Sequence, residues 1–194
     1  EKARGADIQI VYSPLDSLAL AKDNPDKTVV FLAVGFETTA PTAAATLLQA
    51  ETEGLTNFTM LTAHKTAPPA IRALIASPET KVDGFLLPGH VSSIIGVEPY
   101  RFLSEEFTVP AVVAGFEPLD ILQSIYMLAK QIAAGDARIE NQYKRAVPDG
   151  GNKAALAIMD RVYESADTVW RGLGTIPMSG LVLKGPYRRF DAAE

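Results

Sequence analysis

Polar side chains that could bind or transform a small ligand are concentrated in two short segments of this 194-residue sequence. The first segment is GFETTAP at residues 35–41, and the second is PGHVS at residues 88–92. Their carboxylate, hydroxyl and imidazole groups can donate or accept hydrogen bonds, and carboxylate and imidazole groups can also transfer protons. The candidates for a ligand-binding cleft are the five polar residues of these segments: Glu37, Thr38, Thr39, His90 and Ser92.

Each candidate also has a structural explanation that needs no ligand. A threonine just before Pro41 can cap the helix that this proline helps to start, which contributes about 1 kcal/mol. Glu37 can interact favourably with a helix N-terminus, and Ser92 lies in no G-x-S-x-G motif, so capping is a more common role for it than nucleophilic attack. Four residues are expected to shape the turns: Gly35, Pro41, Pro88 and Gly89.

The tripeptide Gly-Phe-Glu occurs a second time at residues 115–117, again between an apolar run and a helical pattern that begins with proline. The flanking helical patterns do not match well enough to indicate a tandem repeat. We expect Glu37 to belong to the wall of a site and Glu117 to interact with the start of the helix that follows it.

Alternating strands and helices must position these segments. Short apolar runs bounded by turn residues predict strands, at residues 8–12, 29–34, 58–62, 82–87 and 109–114. Alanine- and leucine-rich stretches predict helices, at residues 14–22, 41–53, 69–76, 118–134 and 153–165. The longest of these helices has apolar residues at helical spacing, namely Leu119, Leu122, Ile125, Tyr126 and Ala129.

Apolar strands separated by helices predict an α/β fold with a mainly parallel sheet and helices on both faces, in a Rossmann-like layering. Ligands bind such sheets outside the carboxyl ends of the strands, and both polar segments follow predicted strands. We place the α/β core at residues 1–145. After a change of composition and a break at residues 149–152, residues 146–194 are predicted to form a helical and extended C-terminal extension.

Composition narrows the classes of function. The net charge of −5 argues against nucleic acid as a partner, since phosphate binding needs a basic surface. No run approaches the roughly 20 apolar residues that span a bilayer, and the first residues lack the apolar region of a secretory signal, so we expect a cytoplasmic protein. Without cysteine the chain has no disulfide and no thiolate, and its 2 histidines give no recognisable set of metal ligands.

Several segments resemble those of a known family. GFETTAP (residues 35–41) and PGHVSSIIG (residues 88–96) are similar to the two central signature motifs of HypD, a maturation protein for nickel–iron hydrogenases. The segments YSPLDSL, GFEPLD and WRGLGTIPMSGL also resemble that family, so the similarity extends in order over nearly the whole chain.

The resemblance implies a scaffold rather than a chain that is an enzyme by itself. HypD proteins, with a small HypC-like chaperone, hold an iron atom that receives two cyanide ligands and one carbon monoxide, and a HypE-like protein supplies the cyanide. The family also binds a four-iron–four-sulfur cluster through cysteines. Because this chain has no cysteine, no residue here is assigned to the iron or to the cluster. The resemblance assigns the five candidates to a cleft wall, where we expect Thr38, Thr39 and His90 to contact the diatomic ligands.

Two other functions are compatible with the same residues. One is an α/β enzyme that acts on a small anionic substrate, with Glu37 or His90 as the general base. The other is an interaction module in which the extension after residue 145, around Trp170, docks a partner. Exposed apolar surface on such a chain would also favour a homo-oligomer.

Overall fold

Five parallel strands form two short sheets in the computed structural model, which describes residues 1–194. In the first sheet, β1 (Val29–Gly35) lies beside β2 (Phe58–His64). In the second sheet, β4 (Ala111–Ala114) lies between β3 (Phe85–Pro88) and β5 (Ile139–Asn141). The predicted α/β class with mainly parallel strands is confirmed, with the strands divided between two sheets.

The C-terminal part of the chain contains an antiparallel hairpin. Its strands are β6 (Tyr163–Trp170) and β7 (Gly174–Leu183). The backbone nitrogen of Thr66, just after β2, donates a hydrogen bond to the backbone oxygen of Ser179 at 2.9 Å. The predicted extended segment is therefore one strand of a hairpin that lies against the end of the first sheet.

Seven α-helices connect the strands. They are α1 (Asp16–Asp23), α2 (Ala40–Thr52), α3 (Ala67–Ala76), α4 (Gly89–Ile95), α5 (Phe102–Glu105), α6 (Pro118–Ala134) and α7 (Lys153–Val162). Short 3₁₀ helices occur at Lys2–Arg4, Glu98–Tyr100 and Gly185–Phe190. Proline lies in the first two positions of α2, α3 and α6, where its missing N–H breaks no helical hydrogen bond.

None of these helices combines the length and the apolar character that crossing a membrane requires.

The apolar core is divided into two clusters of buried residues. The first apolar cluster joins residues of α1, β1, α2 and β2 to C-terminal side chains, namely Val162, Tyr163, Leu181, Leu183, Tyr187 and Phe190. The second apolar cluster contains Leu87, Tyr100, Phe102, Leu103, Ala111, Val113 and Val147. The C-terminal residues therefore share a core with the first two strands, while the division at residue 145 stays a prediction.

A glycine turn at residues 149–152 connects the two clusters. The backbone nitrogen of Asn152 donates to the backbone oxygen of Ile94 at 2.9 Å, and a Cβ atom on Gly151 would lie 2.3 Å from that same oxygen. Asn152 also caps α7, because its side-chain oxygen accepts a hydrogen bond from the backbone nitrogen of Ala155. The break predicted here is thus a close contact with the end of α4.

Two predictions of secondary structure are wrong. The strand predicted at residues 8–12 does not form, because no other strand lies beside it, and Ile10 and Tyr12 are exposed. The helix predicted at residues 153–165 ends at Val162, since Tyr163 has extended backbone angles and begins β6.

Candidate functional site

The two polar segments lie where β1 and β3 end. The first leads from β1 into α2, and the second forms the end of β3 and the start of α4. Exposure separates the candidates: Thr38, Thr39 and His90 are exposed, whereas Glu37 and Ser92 are buried. Only the exposed side chains can contact an external ligand without rearrangement of the chain.

Glu37 is a buried carboxylate that holds the start of another helix. It is 2% exposed, and its Oε1 atom accepts a hydrogen bond of 2.7 Å from the backbone nitrogen of Ala67, the first residue of α3. Its Oε2 atom has no hydrogen-bond partner. Burial raises the pKa of Glu37, and hydrogen bonds from backbone nitrogens partly offset that rise. The carboxylate therefore joins the end of β1 to α3.

Thr39 and Gly35 form the turn between β1 and α2. Thr39 is the N-cap residue of α2, but its Oγ1 atom donates to the backbone oxygen of Phe36 at 3.2 Å and caps no helical N–H. Gly35 has a φ of 147°, and a Cβ atom there would lie 2.1 Å from Oγ1 of Thr39. The turn therefore requires glycine, and it leaves the neighbouring side chain of Thr38 exposed.

His90 stacks on Phe116, the aromatic residue of the second Gly-Phe-Glu segment. The ring centroids are 4.2 Å apart and the rings are tilted by 35°. Ser92, in contrast, donates its hydroxyl hydrogen to the backbone oxygen of Pro88 at 2.9 Å and is fully buried. The imidazole is thus an accessible group beside the ends of β3 and β4, and the Ser92 hydroxyl is not.

The predicted turn residues lie at element boundaries. Pro41 is the second residue of α2, Pro88 ends β3, and Gly89 begins α4. A Cβ atom on Gly89 would lie 2.4 Å from the backbone oxygen of Ala114, so the close approach of β4 leaves no room for a side chain there.

Tyr100 is a buried residue near both segments that the sequence did not single out. It is fully buried and its hydroxyl group has no hydrogen-bond partner. Burial raises the pKa of Tyr100, the Ser92 hydroxyl beside it lowers this pKa, and the charge of Glu37 raises it further. The buried candidates of the two segments, Glu37 and Ser92, therefore both influence the same phenol. No motif marked this tyrosine, because the residues that influence it, Ser92 and Glu37, are not its neighbours in sequence.

The tip of the β6–β7 hairpin lies over the first Gly-Phe-Glu segment. The ring of Trp170 is 6.0 Å from that of Phe36, centroid to centroid. Lys65 fixes the hairpin, because its Nζ atom lies 5.1 Å from the Trp170 ring centroid and donates to the Thr168 hydroxyl at 3.3 Å and to the backbone oxygen of Val169. Lys65 follows β2 directly, so its place after a strand was the signal that could have identified it.

An ion pair lies beneath the second Gly-Phe-Glu segment. Arg145 donates to both carboxylate oxygens of Asp120, at 2.7 and 2.5 Å, and Gln142 donates to Oδ1 of Asp120 at 2.9 Å. The hydrogen bonds from Arg145 are the main reason that the pKa of Asp120 is lowered to about 2. Arg145 lies 25 positions away from Asp120 in the sequence, and no motif indicated the pair.

His64 is a core residue rather than a ligand. It ends β2, is 2% exposed, and burial lowers its pKa to about 4, so the imidazole is neutral near pH 7. Nowhere in the structure do three or more histidine, cysteine, aspartate or glutamate residues form a group that could hold a metal ion.

Comparison with known proteins identifies a group of similar chains. The sequence matches, over residues 1–194, the family HypD, described as the hydrogenase formation hypA family. It is 53% identical over 194 residues to the hydrogenase maturation factor HypD of Rhodobacter capsulatus, covering 100% of this chain and 52% of that protein. The proteins of the same name from Escherichia coli (strain K12) and Azotobacter vinelandii are 51% identical over 192 residues and 44% identical over 197 residues, and in each case the match covers 98% of this chain and 52% of that protein. The chain therefore spans about half the length of these curated relatives.

Proposed function

This chain belongs to the HypD family, and from that premise we propose that it forms part of the scaffold on which the iron–dicyanide–carbonyl unit of nickel–iron hydrogenases is assembled. In this proposal the iron unit is the cargo and the chain forms one wall of the cleft that receives it. A HypC-like chaperone and a HypE-like cyanide donor are the proposed partners.

The observation that carries the proposal is the division of the candidates by exposure. Thr38, Thr39 and His90 present hydroxyl and imidazole groups to solvent at the carboxyl ends of parallel strands. Iron-bound cyanide carries negative charge and accepts hydrogen bonds, so the Thr38 hydroxyl and the His90 imidazole suit it as donors. The Thr39 hydroxyl donates to the backbone oxygen of Phe36 and must leave that oxygen in order to donate to the cargo. Glu37 and Ser92 are buried behind these groups, where they fix the backbone that carries the donors.

The ligands of the iron and of the cluster are not among these residues. The chain has no cysteine, so a cysteine-held cluster does not fit it. Groups that contact the bound diatomic ligands without holding the metal orient the assembled unit and adjust its electronic properties. That is the role proposed for Thr38, Thr39 and His90.

An enzyme with Glu37 as general base has less support from the geometry. The side chain is 2% exposed, and one of its two oxygens already accepts the hydrogen bond from Ala67. A general base must come within hydrogen-bond reach of the proton that it removes, and this carboxylate is covered. His90 is accessible, but no second titratable side chain of the chain orients its ring, whose neighbour is Phe116.

The test uses a full-length HypD-family protein that carries this segment. We expect His90→Ala and the double substitution Thr38→Val, Thr39→Val to reduce the infrared bands of iron-bound cyanide and carbonyl on the purified scaffold, and to reduce hydrogenase activity in cells. Matched controls are Ser104→Ala and Thr52→Val, because these exposed hydroxyls donate to the backbone oxygens of Arg101 and Leu48, outside both polar segments. Unchanged infrared bands in the first two variants would contradict the proposal.

A further inference from the structure

Lys65 carries a positive charge that no carboxylate of the chain neutralises. It follows β2 directly and is half-buried, and none of the salt bridges of the structure includes it. Its Nζ atom is held by neutral groups of the hairpin: the Thr168 hydroxyl at 3.3 Å, the backbone oxygen of Val169, and the Trp170 ring, whose centroid is 5.1 Å away. These groups orient the ammonium group but leave its charge uncompensated, whereas charges withdrawn from water are normally paired.

The hairpin has other bonds to the first sheet that need no charge. The backbone nitrogen of Thr66 donates to the backbone oxygen of Ser179 at 2.9 Å, and the indole nitrogen of Trp170 donates to the Ser179 hydroxyl at 2.8 Å. Ser179 is fully buried, so these bonds are shielded from water. A neutral donor could supply the two hydrogen bonds that Lys65 adds, so attachment of the hairpin does not explain a positive charge at this place.

The ammonium group lies at the same end of the first sheet as the first polar segment. β1 and β2 are parallel and end side by side. The backbone nitrogen of Lys65 donates to the backbone oxygen of Gly35 at 2.9 Å. The ring of Trp170, over which Nζ lies, is 6.0 Å from the ring of Phe36, centroid to centroid. The exposed Thr38 follows two positions after Phe36, so the charge and this hydroxyl belong to one edge of the sheet.

We propose that Lys65 is the positively charged group of the cleft and that it binds the cyanide-bearing iron unit as an anion, together with the donor Thr38. This inference rests on the proposed scaffold function. An ammonium group has three N–H donors, and two of them bind Thr168 and Val169, so one remains for a bound anion. The chain carries a net charge of −5, and an uncompensated cation at the strand ends offsets the repulsion that an anionic cargo meets.

The first experiment titrates a full-length HypD-family protein that carries this segment with hexacyanoferrate(II), an anion whose cyanide ligands are bound to iron. We expect Lys65→Met to weaken binding at least about tenfold in isothermal titration calorimetry, because a charge-assisted hydrogen bond is lost. Lys65→Arg keeps the charge and should restore most of the affinity. The control Lys130→Met removes an exposed charge on α6 and should bind as the parent does.

Two further measurements separate the charge of Lys65 from a structural role in the hairpin. Ser179→Ala removes the hydroxyl that holds Trp170 but keeps the lysine, so it should weaken binding less than Lys65→Met does. Added salt should weaken the binding of the parent and of Ser179→Ala more steeply than that of Lys65→Met, because salt screens the attraction between charges. Circular dichroism confirms that each variant is folded.

The infrared bands of iron-bound cyanide and carbonyl separate this inference from the function on which it rests. We expect Lys65→Met to reduce these bands on the purified full-length scaffold, and Lys130→Met to leave them unchanged. Bands that are lost in His90→Ala but retained in Lys65→Met would overturn the role of Lys65 and leave the scaffold function standing. Bands retained in both variants would contradict the scaffold function, and weaker hexacyanoferrate(II) binding by Lys65→Met would then still identify Lys65 as an anion-binding residue.

Equal affinity of the parent and of Lys65→Met for hexacyanoferrate(II) would also overturn the proposal. That result is expected if a carboxylate elsewhere in the full-length protein pairs with Lys65 and neutralises its charge.

Discussion

The two Gly-Phe-Glu turns place the same three residues in different surroundings. Glu37 is 2% exposed and bonds to the start of α3, whereas the side chain of Glu117 is 79% exposed and lies 3.6 Å from Arg145. Both glutamates lie between a strand and a helix that has a proline in its first two positions. The difference arises from the contacts of each glutamate: the start of α3 lies against Glu37, whereas Glu117 lies at the surface beside Arg145, which is itself held by Asp120.

The glycines of the two turns have the same structural role, which is to leave room for a neighbouring side chain. A Cβ atom on Gly35 would lie 2.1 Å from Oγ1 of Thr39, and one on Gly115 would lie 2.2 Å from Oδ2 of Asp120. Each glycine makes room for a polar side chain from the first turn of the next helix or its cap. The phenylalanines differ again, because Phe36 lies near Trp170 of the hairpin and Phe116 stacks on the exposed His90. The two turns thus differ mainly in the burial of their glutamates, since both phenylalanines are exposed, at 42% for Phe36 and 55% for Phe116.

Substitution of the glycines should produce the largest effect. We expect Gly35→Ala to lower the free energy of unfolding by about 3 kcal/mol, because steric overlap adds to an unfavourable φ. Gly115→Ala should cost about 2 kcal/mol, because only steric overlap applies there, with the side chains of Asp120 and Tyr143, and no unfavourable φ adds to it. Urea denaturation measures both, and Gly185→Ala, which meets no atom within 4 Å, is the control. Equal losses at Gly35 and Gly185 would show that the turn does not need glycine.

Removal of the glutamates should separate the two turns. Glu37→Ala leaves the partly buried backbone nitrogen of Ala67 without its hydrogen-bond acceptor, and we expect a loss of about 2 kcal/mol in the free energy of unfolding. Glu117→Ala should change it by less than about 0.5 kcal/mol, because that side chain is largely in water. The same urea measurement compares them, and similar losses would contradict the assignment of Glu37 to α3.

The two turns should respond to pH in opposite directions. Burial raises the pKa of Glu37 in the folded chain above its unfolded value of about 4.3, so stability from this group falls as pH rises through the folded pKa. The pKa of Asp120 is lowered to about 2, so its contribution is present above the unfolded value of about 3.9 and is lost as pH falls towards 2.

Denaturation midpoints between pH 2 and 7 check this smaller effect. Glu37→Gln should remove part of the decline in stability above about pH 4.3, and Asp120→Asn should remove part of the gain between about pH 2 and pH 4. If the curve of stability against pH for each variant runs parallel to that of the parent chain at all pH values, neither carboxylate has a perturbed pKa.

Much of the fold could be predicted from local sequence. The apolar run at residues 29–34 became β1, and the helix predicted at residues 118–134 has the bounds of α6. These two predictions are correct because the apolar pattern that indicates each element lies within the element's own residues. The strand predicted at residues 8–12 failed because a strand also needs a neighbour, which no local pattern specifies.

The site was only partly predictable for the same reason. The sequence identified strand-end segments, but it could not show that Glu37 is buried, because its partner Ala67 lies 30 positions away. The apolar spacing in α6 correctly indicated a helix, yet the side that packs on the sheet is the polar one, held by Arg145 and Glu140. Partners that are distant in sequence decide both outcomes.

The shared core of the chain's two ends has a consequence for the order of folding. The first apolar cluster needs Leu18 and Phe190 together, whereas the second closes within residues 85–147. Contacts between distant residues form more slowly than local ones, because a longer loop must close first. During synthesis the segment around residues 85–147 can therefore assemble before β1 and β2, which precede it, because the cluster of β1 and β2 is completed only when the residues around Phe190 have left the ribosome.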